Sequence, residues 1–485
     1  MIFTLLIARH NSFSFILKSG TYRSICGNTV RAMSSSNEIS AGRIAKLAEC
    51  DNEGIRAASE VLKAGGLVAF PTETVYGLGA NALNDLSVKS IFAAKKRPST
   101  DPLIVHILSK ADIYALYDFE NLPVYMDFRV SKAQILCEFL AETFWPGPLT
   151  IIFKAKSIVP LSVTAGSGFV GLRSPKHPIA RLLLEACGLP IAAPSANRFG
   201  HVSPTSSDHV MQDLGDEVVT ILKDNIPLSG GCVVGIESTV CRVNKDGDIV
   251  SILRCGAVTS EDISTALEGA SHPGLSNVKV IIENEKALIK KVPIVISSQD
   301  VTSSTSSGTT TVITDISKDS TTTVSESDES PAVAPGQMMK HYAPDIPTYI
   351  VTAESSSSVS PRSVLSFSFS SVQSEGDDNI TITEAFVIDF GGQLLHMKDK
   401  CSVYCDLSPE GKAEEACNRI FEILRRAEDP ALAIPKGIQG LAGEGSGLGV
   451  KLVLLPDLRL AAEKNEMVRA LWERLHRAAS GTFLH

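Results

Sequence analysis

Hydrophobic residues in the first half of the chain form two alternating patterns, one typical of helices and the other of short buried strands. Ile55, Ala58 and Leu62 are spaced three and four residues apart, which predicts an amphipathic helix that ends at the glycine pair 65–66. The apolar run Leu67–Phe70 follows directly and predicts a short strand. This alternation is typical of an α/β fold.

The same alternation continues along the first half of the chain. A second helix is predicted around Val88, Ile91 and Phe92, and a third over Pro178–Cys187, where the proline suits the first turn. The remaining apolar runs predict short strands at 149–153, 190–193, 233–234, Thr239–Val243 and 250–254. We therefore expect one α/β domain over residues 48–270.

A smaller block with the same alternation lies near the C-terminus. Val468, Leu471 and Leu475 share one helical face, and a further helix is predicted over 413–425. Strands are predicted at 348–352, 385–390, 432–434 and 452–455. We therefore expect a second, smaller α/β domain over residues 346–480.

The segment between the two blocks differs from both in composition. Of the 30 residues in 301–330, 18 are Ser or Thr, and few are large and apolar. Such a segment buries too little apolar surface to offset its loss of conformational entropy. Residues 271–345 are therefore predicted to be a linker, within which 278–282 and 292–296 could form short strands.

The N-terminal 37 residues contain no Asp or Glu, and the first acidic residue is Glu38. Their basic residues, set among many serines and apolar residues, are Arg9, Lys18, Arg23 and Arg31. This composition is typical of an organellar transit peptide. We expect residues 1–37 to be a mitochondrial or plastid presequence, with a merely disordered N-terminus as the alternative. The core protein is expected in the cytoplasm, and a shorter form could start at Met33.

Composition and charge restrict the classes of function. The 485 residues carry 45 Lys and Arg against 54 Asp and Glu, a net charge of −9. This charge argues against a protein that coats nucleic acid or an acidic membrane. No run of roughly 18 or more apolar residues occurs, so no membrane span is expected. The 10 cysteines include no CxxC pair, which fits a reducing compartment.

The loops after the predicted strands carry the polar residues best suited to chemistry. Residues 71–79 offer hydroxyls, a tyrosine and glycines directly after a strand, where α/β sheets usually bind ligands. Arg173 and Arg254 each end a strand-like apolar run, and a buried arginine is costly unless an anion pairs with it. Together with Lys95 and Arg97, these arginines indicate a ligand with several negative charges.

Each of these segments alone has a simpler interpretation. A basic run such as 95–97 is usually a solvated surface patch, and His106 on an apolar strand would usually be a hydrogen-bonded core residue. The chain contains no Walker A motif and no clustered Asp and Glu residues typical of a built-in metal site. No resident metal is therefore expected, and any Mg²⁺ would arrive with a nucleotide.

Together, the motifs resemble the threonylcarbamoyl-AMP synthase family in its long, two-domain form. Across residues 54–256 the strings follow in the family's order, namely PTETVYGLG, KKRPSTDPLIVHI, FWPGPLT, VGLRSP, PIAAPSAN, GHVSPT, GIESTV and ILRCG. Residues 335–344 (PGQMMKHYAP) resemble the linker signature that precedes the family's second domain. The resemblance implies an α/β protein with a YrdC-like twisted mixed-sheet catalytic domain and a smaller C-terminal Rossmann-like domain.

The resemblance also implies an activity. The family makes threonylcarbamoyl-adenylate from L-threonine, bicarbonate and ATP, releases pyrophosphate, and supplies the threonylcarbamoyl modification of adenosine in tRNA. We therefore expect ATP with Mg²⁺, L-threonine and bicarbonate as ligands. The product would pass to a tRNA threonylcarbamoyl transferase, contact with tRNA itself would be weak, and no membrane partner is expected.

Residue roles follow from the same resemblance. The expected catalytic residues match the family's K-x-R and S-x-N signature and are Lys95, Arg97, Ser195 and Asn197. The expected nucleotide contacts are Arg97, Asp101, Ser195, Ser203, Arg254 and, as a lid from the linker, Tyr342. The expected threonine contacts are Thr74, His106, Arg173, Ser238 and a backbone group of Ala193, with Arg173 pairing the carboxylate.

Three other functions compete with this one. The same fold could bind double-stranded RNA or tRNA without catalysis, which a basic face on the first domain would favour. A related carbamoyltransferase of hydrogenase maturation would need Cys-rich and acylphosphatase-like segments, and the chain has no CxxC pair. A lyase acting on sugar phosphates would need acidic metal ligands, which the motifs do not supply.

Overall fold

The computed structural model describes residues 44–118, 131–224, 231–283, 342–351, 384–428 and 451–484. The predicted presequence, the strands predicted at 292–296 and 432–434, and most of the predicted linker lie outside these residues. No helix in the part of the chain that the structure describes is long and apolar enough to cross a membrane.

The first block is built on an eleven-stranded mixed sheet. Its strands are β1 Lys46–Glu49, β2 Leu67–Phe70, β3 Gly77–Asn81, β4 Ile104–His106, β5 Leu149–Lys154, β6 Phe169–Arg173, β7 Ile191–Ala192, β8 Val219–Lys223, β9 Thr239–Val243, β10 Ile249–Arg254 and β11 Lys279–Ile282. They lie in the order β1-β8-β2-β3-β7-β4-β6-β5-β9-β10-β11. Parallel pairs such as β4 with β6 alternate with antiparallel pairs such as β5 with β6.

Helices cover the sheet, and several of them begin at side-chain caps. They are α1 Asn52–Lys63, α2 Asp85–Lys95, α3 Ile113–Leu116, α4 Lys132–Phe144, α5 Leu161–Thr164, α6 Pro178–Cys187, α7 Ser207–Leu214 and α8 Ser260–Glu268. Asp51 caps α1 by accepting from Gly54 N at 2.8 Å. The predicted apolar face of α1 is buried against α6 in one hydrophobic cluster that includes Leu62 and Leu183.

Gly79 allows three strands to approach one another closely. A Cβ at this position would lie 2.7 Å from the Ile191 side chain on β7 and 2.8 Å from the Phe70 ring on β2. A side chain would therefore push apart the strands on both sides of β3. The glycines of 77–81 belong to a buried strand, which corrects the expectation that they form a flexible loop.

The second block carries a five-stranded sheet in which every pair of strands is parallel. Its elements are β12 Thr348–Val351, β13 Glu384–Asp389, β14 Val403–Asp406, α9 Ala413–Glu428, β15 Lys451–Pro456, α10 Arg459–Ala462, α11 Glu466–Ala478 and β16 Phe483–Leu484. A mixed sheet followed by a smaller parallel α/β sheet confirms the expected fold class.

Polar contacts join the second block to the first. Arg425 on α9 pairs with Asp213 on α7 at 2.9 Å, and both side chains are buried. On α11, Glu466 accepts from the backbone N–H of Ser260, the first residue of α8, at 2.7 Å. Asn418 on α9 donates to the backbone carbonyl of Val233. The C-terminal block therefore packs against helices α7 and α8 and the loop at Val233 of the first block.

Two predicted features differ from the structure. Residues 233–234 form a bend, in which Val234 N donates to Glu73 O at 2.8 Å, and not a strand. The short strand that 278–282 could form is present as β11 and pairs with β10, so the folded part of the first block extends beyond the predicted boundary at residue 270 and reaches Ile282. In both cases long-range pairing outweighs the local composition.

Candidate active site

Three predicted site residues end strands that run in the same direction, and two of these strands, β4 and β6, are neighbours. His106, Arg173 and Arg254 are the last residues of β4, β6 and β10. His106 lies directly opposite Arg173 in the parallel pair of β4 and β6. Their side chains therefore lie at the same edge of the sheet, as expected for a ligand site of an α/β protein.

A cavity of about 50 Å³ lies at this edge. Most of the predicted site residues line it, namely Thr74, Arg97, His106, Arg173, Ala193, Ser195, Ser238, Arg254 and Tyr342. The others, Lys95, Asp101, Asn197 and Ser203, do not line it. Because ligand pockets usually measure about 300–1,000 Å³, this cavity has to widen before it can hold a nucleotide.

Arg173 is held by a carboxylate of the protein itself. Its Nη2 lies 2.7 Å from Glu73 Oε1, and its Nη1 donates to Thr74 Oγ1 at 2.9 Å. Burial raises the pKa of Glu73, but the Arg173 charge and hydrogen bond outweigh this effect and lower the pKa below its usual value. The burial of Arg173 is therefore explained by Glu73, which corrects the inference that its burial indicates an anionic ligand.

His106 is buried beside Arg173 and keeps a neutral imidazole. Burial, assisted by the Arg173 charge, lowers its pKa to about 3. Its ring meets the Phe70 ring edge to face at 5.9 Å, and its Nδ1 has no hydrogen-bond partner among the described residues. His106 therefore offers a hydrogen-bonding ring nitrogen to the cavity without adding charge.

Arg254 also lines the cavity and is oriented by Ser238. Its Nη2 donates to Ser238 O at 2.8 Å and to Ser238 Oγ at 3.1 Å. Ser238 Oγ in turn lies 2.8 Å from Thr150 Oγ1. Gly256 permits this arrangement, because a Cβ there would lie 2.4 Å from Thr239 N.

Arg97 is the third arginine of the cavity wall, and Asp101 holds it from behind. Arg97 Nη2 lies 2.8 Å from Asp101 Oδ2 and donates to Pro102 O at 3.1 Å. Asp101 is completely buried and does not line the cavity. In the structure Asp101 therefore supports Arg97, and its direct contact with the nucleotide stays a prediction.

Lys95 and Asn197 support the loop that carries Ser195. Lys95 is buried and donates to the backbone carbonyls of Ser195, at 2.6 Å, and of Asn197. Burial, together with the Arg97 charge, lowers the pKa of Lys95. Asn197 accepts from Ser195 Oγ and donates to His201 O at 2.7 Å. Both residues lie behind the cavity wall, and their direct role in catalysis stays a prediction.

Tyr342 closes the cavity from the side of the second block. It is buried, lines the cavity and stacks on Phe421 of α9 with ring centroids 5.3 Å apart. Burial and the Glu237 charge raise its pKa to about 12, so the phenol stays protonated at neutral pH. Its position fits the expected lid.

Ser203 reaches the cavity wall only through Glu237. Ser203 Oγ donates to Glu237 Oε1 at 2.7 Å, and Ser203 is completely buried. Its direct contact with the nucleotide stays a prediction. Glu237 itself lines the cavity.

Sequence reasoning missed Glu73, Glu237 and Arg474, which pair with or support the predicted residues. Glu73 and Glu237 lie inside quoted motifs, next to the predicted residues Thr74 and Ser238, which was the available signal. Arg474 lies in an amphipathic helix far along the chain, and no local pattern distinguishes it from a surface arginine.

One group of residues among those described could hold a metal ion by its geometry. His201, Asp345 and Glu428 offer one nitrogen and two carboxylates within 4.8 Å of one another. They do not line the cavity. His201 Nε2 lies 3.0 Å from Glu428 Oε1, and His201 Nδ1 lies 3.0 Å from Asp213 Oδ2, so the group already forms an ion-pair network.

Two family models match the chain. A Sua5/YciO/YrdC model described as "Telomere recombination" matches residues 60–256. A model described as "Threonylcarbamoyl-AMP synthase, C-terminal domain" matches residues 308–480. The two matches cover the first block and the second block in turn.

Several curated relatives are named threonylcarbamoyl-AMP synthase. The threonylcarbamoyl-AMP synthases of Pyrococcus abyssi and Bacillus subtilis are each 42% identical to the chain, over 222 and 237 residues. These matches cover 46% and 48% of this chain and 59% and 61% of the relatives, about three fifths of their length. The threonylcarbamoyl-AMP synthase of Vibrio vulnificus is 31% identical over 163 residues, 34% of this chain and 82% of the relative.

A solved structure resembles both blocks together. The crystal structure of Pyrococcus abyssi Sua5 complexed with L-threonine aligns with 91% of this chain and 100% of its own, at 26% identity and a TM-score of 0.58. A second structure, of a doubly substituted variant of the same Pyrococcus abyssi protein, aligns with 90% of this chain and 97% of its own, at 25% identity and a TM-score of 0.59.

Proposed function

The chain belongs to the threonylcarbamoyl-AMP synthase family, and we propose that it makes threonylcarbamoyl-adenylate from L-threonine, bicarbonate and ATP. One observation carries this proposal. The residues that match the family's motifs converge on one cavity whose wall holds Arg97, Arg173 and Arg254. A reaction between anionic substrates needs such a set of cations.

The chemistry requires two anions to meet. The threonine amine takes up the carboxyl group of bicarbonate with loss of water, and the resulting carbamate attacks the α-phosphorus of ATP. The new bond joins a carbamate oxygen to phosphorus, and the bond to the leaving pyrophosphate breaks. Guanidinium groups reduce the repulsion between the two anions and align them, so a strong general base is less important.

The two ends of the cavity suit different substrates. Thr74 and His106 both lie beside Arg173, and we place threonine at this end, with Arg173 facing its carboxylate. Ser195, Arg254 and the lid Tyr342 lie where we place the nucleotide. The N–H of Ala193 already donates to Ile104 O at 2.9 Å, so a backbone contact with threonine would use its carbonyl.

Mg²⁺ is proposed to arrive with ATP. Around the cavity, the described carboxylates Glu73, Asp101 and Glu237 each face an arginine, so they form no ready cage for a divalent ion. Mg²⁺ typically keeps several waters and binds through substrate phosphates. Such an ion would reduce the charge of the triphosphate. Chelation with EDTA should abolish the activity, and excess Mg²⁺ should restore it.

Partners and location follow as further proposals. The product would pass to a tRNA threonylcarbamoyl transferase, with weak tRNA contact and no membrane partner. The core protein would be cytoplasmic, with residues 1–37 directing a mitochondrial or plastid form. A reporter fused to residues 1–37 should enter one of these organelles, and a reporter that stays in the cytoplasm would contradict the presequence.

The test is the dependence of pyrophosphate release on the cosubstrates. Purified protein should release pyrophosphate from ATP only when L-threonine and bicarbonate are both present. Release without threonine would contradict the proposed reaction. Binding of tRNA by a protein that releases no pyrophosphate would instead favour the non-catalytic RNA-binding alternative.

A further inference from the structure

Arg474 lies on α11 of the second block and reaches the residues around the cavity. Its side chain is 1% exposed, and its Nε lies 3.3 Å from Glu237 Oε2. Its Nη1 donates to Cys255 O at 2.8 Å and to Ala470 O at 2.9 Å. The C-terminal block therefore contributes a buried cation to the loops of the first block that form the cavity.

Glu237 is the residue that this cation neutralises. It lines the cavity, its side chain is 9% exposed, and its other oxygen accepts from Ser203 Oγ at 2.7 Å. A carboxylate buried in the wall of a triphosphate site would repel the ligand unless a cation pairs with it. Arg474 supplies this cation.

Arg474 also contacts the lid. Its Cζ lies 6.0 Å from the centroid of the Tyr342 ring, within the range of a cation–π contact. The same ring stacks on Phe421. Two residues of the C-terminal block therefore hold the lid, and one of them also holds Glu237.

Joining the two blocks does not by itself require this charge. Buried ion pairs are often no more stabilising than apolar residues of similar volume. Arg474 Nη2 is also buried without a hydrogen-bond partner among the described residues, which adds to the cost. Moreover, Arg425 and Asp213 already form a buried ion pair between the blocks. The position of Glu237 beside the cavity explains the charge of Arg474.

We propose that Arg474 is a positioning residue of the ATP site, which neutralises Glu237 and holds Glu237 and Tyr342 in the geometry that encloses the nucleotide. This inference rests on the proposed function, because it takes the cavity to be the ATP site. The C-terminal domain then completes the catalytic site instead of serving as an independent module.

The test compares the affinity for ATP with that for threonine in the full chain. Arg474→Met should raise the Kd for ATP, measured by titration calorimetry, and the KM for ATP at least about tenfold. The KM for threonine should change by less than about twofold, since Arg474 does not touch the threonine end. Unchanged ATP values in folded Arg474→Met would overturn the inference.

The double variant Glu237→Gln/Arg474→Met separates the loss of charge neutralisation at Glu237 from the loss of the positioning contact with Arg474. It leaves no unpaired buried charge, so it should fold even where the single variant does not. Its Kd for ATP should rise only about three- to fivefold, because repulsion is gone but the positioning contact is also lost. A double variant with wild-type affinity for ATP would contradict a positioning role.

Arg425→Met is the matched control, since it breaks another buried ion pair between the same blocks. It should leave the ratio of the two KM values unchanged. If both single variants raised both KM values alike, Arg474 would serve only to dock the domains. Wild-type protein that binds ATP but releases no pyrophosphate would contradict the proposed function and not the role of Arg474. Wild-type protein that does not bind ATP would contradict both.

Discussion

At the scale of single residues, the site is organised by pairs of opposite charge. Arg97 faces Asp101, and Arg173 faces Glu73, so these two guanidinium groups are oriented before any substrate binds. A guanidinium group whose orientation is already fixed loses little conformational entropy when it binds a carboxylate or phosphate. We interpret the carboxylates as residues that orient the arginines. The arginines are then the groups that contact substrate.

The first prediction concerns the threonine end. Arg173→Lys keeps a positive charge beside Glu73 but cannot make the forked contacts with Glu73 and Thr74. The KM for L-threonine should rise about tenfold or more, while the KM for ATP changes by less than about threefold. Steady-state pyrophosphate release measures both values.

Arg198→Lys is its control, because Arg198 is likewise ion-paired, with Asp216 and Glu217, but does not line the cavity. Both KM values should stay near those of the wild type. An equal rise of the two KM values in Arg173→Lys would place Arg173 away from threonine.

The motifs predicted which residues lie near the cavity better than they predicted which side chains point into it. A motif places residues near one another along the chain, and most of the predicted residues do line the cavity. It does not tell whether a side chain points into the cavity or behind it. Lys95 donates to backbone carbonyls behind the wall, and Asp101 supports Arg97, because burial favours such internal partners.

At the scale of elements, the decisive feature is the contact between the first block and helix α9. Gly235 has a φ of +73°, and a Cβ there would lie 2.4 Å from Asn418 Cα on α9. The chain thus approaches the helix backbone to a distance that only glycine permits. At the C-terminal end of α9, His201 bonds Glu428.

The second prediction uses this close approach. Gly235→Ala should weaken the docking of the C-terminal domain by about 2–4 kcal/mol, since the new Cβ overlaps the helix backbone. Thermal unfolding should then show a lowered or divided transition. Gly231→Ala is the matched control, because its φ is also positive, at +59°, but a Cβ there meets nothing within 4 Å. Equal destabilisation by the two variants would show that backbone strain alone is responsible.

The third prediction concerns pH. Burial disfavours a charged His201, but hydrogen bonds to Asp213 and Glu428 outweigh it and raise its pKa to about 9. Because the pKa is higher in the folded protein, this stabilisation is complete below about pH 6.5 and is lost as the pH rises through 9. Wild type should lose on the order of 1–2 kcal/mol of unfolding free energy over this window. Urea unfolding measures it.

His201→Gln should flatten this dependence, whereas His209→Gln should not. His209 lies in the same region, but burial and the Arg425 charge lower its pKa to about 4, so it is neutral throughout the window. The other charged groups facing His201 are Asp345 and, through Asp213, Arg425. A wild-type slope retained in His201→Gln would assign the pH dependence to another group.

Helices and strands with a clear apolar period could be predicted, and those shaped by their neighbours could not. Helices α1 and α6 lie where the spacing of apolar residues and the terminal glycines place them. Strand β3 has the sequence GLGAN, which favours a loop, and becomes a strand because β2 and β7 flank it. Strand β8 pairs with both β1 and β2, which the local pattern does not indicate.

At the scale of the whole molecule, an acidic chain encloses a cationic site. The net charge of −9 is spread over 485 residues, while three arginines converge on one small cavity. The lid Tyr342 fills one side of this cavity and is held by α9 and α11. Since about 50 Å³ is too small for ATP, which needs a pocket of several hundred Å³, we expect the cavity to widen before ATP binds.

The central claim is that this cavity joins threonine, bicarbonate and ATP in one product. The most direct measurement incubates the purified protein with ATP, Mg²⁺, L-threonine and ¹³C-labelled bicarbonate and analyses the products by mass spectrometry. We predict an adenylate that contains threonine and one ¹³C carbonyl, formed together with pyrophosphate. An adenylate without ¹³C, or pyrophosphate released without threonine, would contradict the claim.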